Sequence, residues 1–189
     1  MHPPAITYVR HAMPRADDGA DPTAWHLDDE GRRAAAALAD RLEVTDEIGA
    51  LVSSSEPKAL ETAEAIGARW GAPTLVDDRL REVERPWVGA GYRLVAHKYL
   101  RGELPAGWEP HEHVAARAAA AVRQARTSTQ GPVVIVSHGL LLSVHLGDVL
   151  AEGFDRETFW SRLAFPDAWS LEPVGTMHRP MAGATSSRP

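Results

Sequence analysis

The sequence predicts an α/β fold built around a largely parallel β-sheet. Short apolar segments rich in β-branched residues alternate along the chain with longer segments whose apolar residues recur at helical spacing. The segment Pro132–Val136 contains Val-Val-Ile-Val with no polar alternation, which is typical of a strand buried on both faces. Strands that alternate with helices in this way favour a layered fold with helices packed on a parallel sheet.

The first predicted strand and helix are separated by a long loop. Ala5–Val9 is apolar and β-branched, which predicts a buried strand. The segment that follows it, through His26, is rich in Asp, Gly and Pro and predicts a loop. A helix is predicted from Asp28, which can cap its N-terminus, to about Glu43, because Ala and Leu recur there at helical spacing.

A second strand and helix follow the same order. Ile48–Val52 predicts the strand, which runs into three serines, Ser53–Ser55. A helix is predicted from about Glu56, because Pro57 is well placed in a first helical turn, and it ends at Gly71.

The rest of the chain completes one expected domain. The remaining predicted elements are a short strand at Thr74–Val76, a helix at Tyr92–Arg101, an Ala-rich helix at Glu112–Arg126, a helix at Leu140–Leu150 and a last strand at Ala168–Leu171. We expect a single domain over residues 1–174, with residues 84–110 as a lid or insertion. Residues 175–189 lack an apolar pattern and predict a flexible tail.

Composition and charge exclude several classes of protein. The chain has 189 residues, and 20 Lys and Arg against 26 Asp and Glu leave a net charge of −6, which disfavours nucleic-acid binding. It has no Cys, so disulfides, thiolate metal sites and thiol nucleophiles are excluded. No apolar run reaches the ~18 residues of a transmembrane helix, and residues 1–4 do not start a secretory signal. We expect a cytoplasmic protein without a membrane partner; the oligomeric state does not follow from the sequence.

Histidines and basic residues follow three of the predicted strands. Arg10 and His11 come after the first strand, His138 follows the most apolar strand, and Lys58 lies in the first turn of the helix after Ser53–Ser55. Carboxyl ends of parallel strands meet at one edge of a sheet, so these side chains are expected to share a crevice. A local cluster of cations in an acidic chain, beside helix N-termini, indicates an anionic ligand.

Two other kinds of site are disfavoured. No G-x-G-x-x-G motif follows the first strand, so a dinucleotide site is not expected. The segment His111-Glu112-His113 is the only close group of metal-ligating residues, but helical residues two apart point to different sides. We therefore expect no metal site and no cofactor.

Five short motifs lie in order over residues 5–172. They are Tyr8-Val9-Arg10-His11-Ala12, Leu27-Asp28-Asp29-Glu30-Gly31, the segment Ser54–Ala63, Leu80-Arg81-Glu82, and the strand Val133–Val136 with Ser137-His138-Gly139. Together they resemble the motifs of the histidine phosphatase superfamily, in the branch that includes cofactor-dependent phosphoglycerate mutases and many small phosphatases.

The resemblance implies a phosphoglycerate mutase-like fold, a three-layer α/β/α sandwich with a mostly parallel central sheet. It also implies chemistry through a phosphohistidine. His11 would attack the phosphorus in line, while Arg10, Lys58 and His138 would surround the phosphoryl oxygens. Because phosphoryl transfer depends mainly on positioning and charge stabilisation, such a set of donors suits the reaction, and no metal is implied.

The resemblance assigns proton transfer to a carboxylate and leaves some points open. Glu82 would protonate the leaving oxygen and later activate water, and Glu84 stays open as the alternative acid. Ala12 stands where the family usually has Gly, which is expected to place a methyl group beside the nucleophile. Lys58 stands where the family usually has Arg, so the positive charge is kept but the planar, bidentate geometry is lost.

The function expected from these residues is metal-independent hydrolysis of a small phosphorylated metabolite. Phosphoglycerate mutase-type transfer and a catalytically weak phosphate-binding or regulatory role are the alternatives. Arg15 and Arg85 are candidates for an additional phosphate contact, and Trp87, Tyr92, His97 and Trp108 could line the substrate pocket.

Overall fold

A mixed sheet of six strands forms the centre of the fold, in a computed structural model that describes residues 5–17, 19–44, 47–150, 152–172 and 176–179. The strands are β1 (Ile6–Arg10), β2 (Ala50–Ser53), β3 (Thr74–Val76), β4 (Val133–Ser137), β5 (Asp167–Leu171) and β6 (Met177–His178). The α-helices are α1 (Asp29–Arg41), α2 (Pro57–Trp70), α3 (Tyr92–Leu100), α4 (His111–Thr127), α5 (Gly139–Leu150) and α6 (Arg156–Arg162). Short 3₁₀ turns occupy Pro22–Ala24, Asp78–Leu80 and Gly89–Gly91.

The sheet is mostly parallel, as the sequence predicts. Its strand order is β3-β2-β4-β1-β5-β6, and the first four of these strands run parallel to one another. The strand β5 is antiparallel to both of its neighbours, β1 and β6. The order places β4 between β2 and β1, so the ends of these three strands lie side by side.

Helices cover both faces of the sheet, which confirms the three-layer architecture. On one face, residues of α4 and α5 pack with Val133 and Ile135 of β4. On the other face, residues of α1 and α2 pack with Val134 and Val136 of the same strand. The unbroken apolar run of β4 is therefore explained, because both faces of the strand are buried.

The helix boundaries follow the predicted capping residues. The Asp28 carboxylate accepts the N–H of Gly31 at 2.8 Å, and Pro57 begins α2. Gly71 ends α2 with a φ of 70°, a left-handed conformation that glycine adopts without strain. A Cβ atom on Gly31 would lie 2.4 Å from the carbonyl oxygen of Met13, so glycine lets the loop after β1 pack on the start of α1.

Five elements were not predicted: the helix α6, the strand β6 and the three 3₁₀ turns. The helix α6 is only seven residues long, and its start is recognisable mainly from Asp155, which accepts the N–H groups of Glu157 and Thr158. The turn Pro22–Ala24 lies in a segment predicted as loop. The strand β6 lies in the segment predicted as a tail, of which residues 175 and 180–189 lie outside the described residues.

Membrane-spanning helices and clusters of metal ligands are both absent from the described residues. None of the helices in the described part of the chain combines the length and hydrophobicity needed to cross a membrane. Nor does that part of the chain bring three His, Cys, Asp or Glu side chains together around a point that could hold a metal ion.

The buried His145 in α5 makes stability depend on pH. Its Nε2 atom lies 3.1 Å from the Tyr8 hydroxyl oxygen, and burial lowers the pKa of His145 from 6.5 to about 4. Between these two values the unfolded chain binds the additional proton, so the free energy of unfolding is expected to fall as the pH falls through this window. The contribution from this residue is roughly 3 kcal/mol. Urea unfolding at a series of pH values should show a shallower decline for His145→Gln than for the wild type; equal slopes would contradict the assignment.

Candidate active site

The ends of β1, β4 and β2 bring the predicted site residues to one edge of the sheet. Arg10, the last residue of β1, lies opposite Ser137, the last residue of β4. The pairing continues beyond the strands, because the N–H of His11 donates to the carbonyl of Ser137 at 3.0 Å. The N–H of Ser54 donates to Val136 at 3.0 Å. The convergence predicted from three separate motifs therefore takes place.

A cavity of about 250 Å³ opens at this edge. Arg10, His11, Lys58 and Glu82 line it. His138 lies behind His11, with no exposed surface, and the two imidazole ring centroids are 5.0 Å apart. All five side chains that the sequence assigned to the site are therefore clustered, four of them on the cavity wall.

His11 presents a neutral imidazole to the cavity. Its Nδ1–H donates to the carbonyl of Ala12 at 2.7 Å, which leaves the lone pair on Nε2. Burial, and then the nearby cations Lys58 and Arg10, hold the pKa of His11 well below its usual value. The ring is consequently unprotonated at neutral pH, which is the form that can act as a nucleophile.

Arg10 offers an unused donor beside His11. Its guanidinium carbon lies 3.3 Å from the centroid of the Phe165 ring, and its Nη1 donates to the carbonyl of Leu163 at 2.9 Å. Its Nε is buried and has no hydrogen-bond partner among the described residues. Burial lowers the pKa of Arg10 to about 10, so the group remains charged at neutral pH. A Cβ atom on residue 139 would lie 3.0 Å from Nε1 of Trp160 and 3.2 Å from this Nε, so glycine leaves room for both side chains.

Lys58 is buried in the cavity wall rather than exposed on the helix surface. Its Nζ donates to the carbonyl of Pro22 at 2.7 Å and forms an ion pair with the carboxylate of Glu56. The unpredicted turn Pro22–Ala24 thus supplies one of the two acceptors. Sequence reasoning missed Glu56 as a member of the site; the only signal was an acidic residue two positions before the lysine at a helix start.

Glu56 and Lys58 form a buried pair, and removing one partner is expected to destabilise the fold. Lys58→Ala leaves the Glu56 carboxylate buried without its cation, so we expect the free energy of unfolding to fall by about 3 kcal/mol. The double variant Glu56→Gln/Lys58→Ala should recover most of that loss, since no buried charge remains. Urea unfolding of both single variants and the double variant measures the coupling. Additive effects would show that the two groups do not act as a pair.

His138 is oriented by polar groups behind the cavity. Its Nε2 lies 2.8 Å from the Ser54 hydroxyl and 3.6 Å from Oε1 of Glu56. The Ser54 oxygen accepts the N–H of Glu56 at 3.2 Å, so its own O–H can donate to the imidazole. Burial, with the neighbouring His11 and Lys58, holds the pKa of His138 well below its usual value. Its buried Nδ1 has no partner among the described residues.

The structure separates the two candidate acids. Glu82 is 9% exposed and lines the cavity, whereas the Glu84 side chain is 78% exposed and does not line it. The Glu82 carboxylate accepts N–H groups from Val83 and Leu141, both at 2.9 Å, and from Leu140 at 3.3 Å. The N-terminus of α5 therefore holds the carboxylate in place on the wall of the cavity that His11 also lines.

The remaining candidates divide between the cavity and its surroundings. Arg85 lines the cavity, whereas Arg15 lines a neighbouring one. Trp108 is 5% exposed and belongs to the core, so it does not line the pocket. His97 does not line it either, and its Nδ1 lies 2.8 Å from the carboxylate of Glu157. The expectation that the methyl group of Ala12 lies beside the nucleophile is wrong. That methyl group packs against Leu27 and Ala35 in a small apolar cluster.

Comparison with known proteins places this site in a family. Residues 6–171 match the profile of the histidine phosphatase superfamily (branch 1). The chain belongs to this superfamily. The match covers all five predicted site residues and confirms the resemblance based on five motifs.

Several relatives of this chain are phosphatases by name. A glucosyl-3-phosphoglycerate phosphatase of Mycolicibacterium vanbaalenii is 34% identical over 136 residues, which is 62% of this chain and 60% of that protein. The chain thus spans about three fifths of the curated relative it matches. Two structures of a mycobacterial glucosyl-3-phosphoglycerate phosphatase share the fold. Its complex with inorganic phosphate has 25% identity, a TM-score of 0.70 and 89% coverage of each chain. Its complex with VO3 has 23% identity, a TM-score of 0.73, and covers 94% of this chain and 98% of that one.

Proposed function

We propose that this protein is a metal-independent phosphomonoester hydrolase that acts on a small phosphorylated metabolite through a phosphohistidine at His11. The observation that carries the proposal is the neutral, buried imidazole of His11. His11 lines the cavity together with Arg10 and Lys58, and because its Nδ1–H donates to Ala12, the lone pair that can attack phosphorus is on Nε2. The phosphatase relatives and the shared family support the same reaction class.

The reaction proceeds in two displacements at phosphorus. In the first, the lone pair of His11 Nε2 forms an N–P bond while the P–O bond to the leaving group breaks and its electrons remain on the leaving oxygen. Glu82 protonates that oxygen. In the second, water attacks phosphorus, Glu82 accepts a proton from the water, and the N–P bond breaks, which regenerates neutral His11 and releases phosphate. Arg10, Lys58 and His138 stabilise the charge on the equatorial oxygens.

The cavity wall favours a leaving group that carries no charge and has an apolar face. Trp25, Trp87 and Tyr92 line the cavity in a row, with ring centroids 5.4 and 5.6 Å apart. The wall also carries three cationic side chains and three carboxylates, which are Arg10, Lys58, Arg85, Asp21, Glu56 and Glu82. The three aromatic rings offer the leaving group an apolar surface, which suits an uncharged group better than the carboxylate of phosphoglycerate and so disfavours a mutase reaction.

The organisation of the chain is part of this proposal. Residues 84–110 act as a lid of a single domain over residues 1–174, because Arg85, Trp87 and Tyr92 from this segment line the cavity. The net charge of −6 and the lack of Cys support a cytoplasmic protein that binds neither nucleic acid nor membrane.

Trapping of the phosphoenzyme tests the proposal. The protein is mixed with a ³²P-labelled aryl phosphate, quenched in alkali, and analysed for a phosphoprotein that is stable in alkali and lost in acid. Peptide mapping should place the label at His11. Release of phosphate without a labelled protein would indicate direct attack by water. Absence of both label and turnover, with phosphate still bound, would favour the binding or regulatory alternative, and mutase activity on 3-phosphoglycerate is measured alongside.

A further inference from the structure

The cavity contains a carboxylate that the two displacements at phosphorus do not use. Glu56 is 6% exposed, and its Oε1 accepts the main-chain N–H of Glu82 at 2.7 Å. Its other oxygen, Oε2, binds the ammonium of Lys58. The side chain is therefore held at both oxygens, and it is one of the groups that line the cavity.

The position of Glu56 limits what Lys58 can offer to an anion. An ammonium has three N–H donors, and two of those on Lys58 already have acceptors, the carbonyl of Pro22 and Glu56. A phosphoryl dianion that reaches Lys58 brings further negative charge next to the Glu56 carboxylate. In a buried site this repulsion is weakly screened by solvent. An ionised Glu56 is therefore stabilised by Lys58 in the free protein but destabilised when an anion is bound.

We propose that Glu56 acts as the resident anion of Lys58 in the free protein, and that phosphate binding transfers Lys58 to the phosphate while Glu56 takes up a proton from solvent. Release of phosphate returns the proton and restores the ion pair. Glu56 is thus a positioning residue: it keeps the ammonium in the site and makes anion binding depend on pH. The inference rests on the proposed function only for the identity of the natural anion.

The groups around Glu56 determine the direction of this effect. Burial raises the pKa of Glu56, and the Glu82 carboxylate acts in the same direction, whereas Lys58 lowers it. An anion that draws Lys58 away removes the main opposing influence and adds a negative charge of its own. His138, which follows β4, also faces Glu56, and its Nε2 lies 3.6 Å from Oε1 of Glu56.

Other titratable groups share the cavity wall, namely Arg10, His11, Asp21 and Arg85. Both His11 and His138 are neutral in the free protein and can also gain a proton when an anion binds. A test must therefore compare variants of Glu56 rather than measure the pH dependence of the wild type alone.

Sulfate binding provides this test, because sulfate is a tetrahedral dianion that does not itself titrate between mildly acidic and mildly alkaline pH. Calorimetric titrations in buffers with different ionisation enthalpies give the number of protons taken up per sulfate. We compare the wild type, Glu56→Gln and Glu84→Gln. The amide introduced by Glu56→Gln keeps an oxygen for Lys58 or for the N–H of Glu82, and Glu84→Gln removes an equal charge from an exposed side chain.

The expected result is a difference of close to one proton between Glu56→Gln and the other two proteins at neutral pH. At mildly alkaline pH, Glu56→Gln should bind sulfate at least tenfold more tightly than the wild type. The wild type must take up a proton at Glu56 when it binds sulfate, and its affinity falls about tenfold for each pH unit above the pKa of that carboxyl. Below the pH at which Glu56 is already protonated, the affinities should converge. Glu84→Gln should follow the wild type throughout.

An equal proton count in Glu56→Gln and the wild type would overturn the proposal, and so would weaker sulfate binding by Glu56→Gln when urea unfolding shows it to be folded. Failure of all three proteins to bind sulfate would also overturn it, since no anion would then reach Lys58. These outcomes do not depend on turnover. The proposed hydrolase could fail the phosphoenzyme test while the sulfate result stands, so the two failures are distinguishable.

Discussion

His11→Ala is expected to reduce the hydrolysis of phosphomonoesters by on the order of 10⁴-fold or more, because it removes the nucleophile of a two-step reaction. The chain contains no Cys that could replace it, and His138 is buried behind His11 and has no exposed surface. The variant should still fold, since the His11 side chain makes one hydrogen bond within the described part of the chain, to the carbonyl of Ala12. Steady-state kinetics with an aryl phosphate and urea unfolding measure the two effects separately.

His26→Ala is a matched control for this experiment. The His26 side chain is 66% exposed and pairs with Glu61 outside the cavity, so its loss should leave turnover close to that of the wild type. Sulfate binding by His11→Ala would show that the anion site survives in the absence of the nucleophile. If His11→Ala retained more than a small fraction of wild-type turnover, the phosphohistidine route would be wrong.

Glu82→Gln is expected to slow turnover of alkyl phosphates by about 10²–10⁴-fold, the usual contribution of a positioned proton donor. Aryl phosphates should be slowed less, because their leaving oxygen needs less protonation. The substitution suits the site: one amide oxygen can still accept the N–H groups of Val83 and Leu141, which both donate to Oε1 in the wild type. The effect should appear mainly in kcat, with binding of inorganic phosphate changed far less.

Two other glutamates, Glu84 and Glu56, make this prediction specific. Glu84→Gln should leave both kcat and the ratio of alkyl to aryl rates unchanged, because that side chain is exposed. Glu56→Gln should change inhibition by inorganic phosphate without changing that ratio. If Glu82→Gln slowed alkyl and aryl substrates equally, the role of Glu82 would be to hold the start of α5, through Leu140 and Leu141, rather than to transfer protons.

The strands and their ends could be predicted from the sequence because their signals are local. The unbroken Val-Val-Ile-Val run of β4 and the polar residues that follow it lie within a few positions of each other. The same is true of Arg10 and His11 at the end of β1, and of Lys58 after β2. Once the strands are parallel neighbours, the polar residues at their ends must meet, so the sequence identifies most of the cavity's cations and its candidate nucleophile.

Weak local signals explain the elements that were not predicted. The helix α6 is seven residues long and has no clear apolar stripe, and the turn Pro22–Ala24 lies in a segment of loop-forming residues. The strand β6 consists of two residues that pair with β5. Whether such short elements form depends on the part of the protein they pack against, and the pattern of neighbouring residues in the sequence does not reveal that packing.

The sequence by itself determined the fold class, the order of the motifs and the identities of Arg10, His11 and His138 as candidate site residues. Only the tertiary structure decided that Glu82 and not Glu84 faces the cavity, and that Lys58 is paired with Glu56. It also decided that the methyl group of Ala12 points into the core. The physical reason is that periodicity and capping act between residues close in the chain. The charge balance of a buried site depends on groups, such as Pro22, Glu56 and Glu82, that approach one another only when distant segments pack.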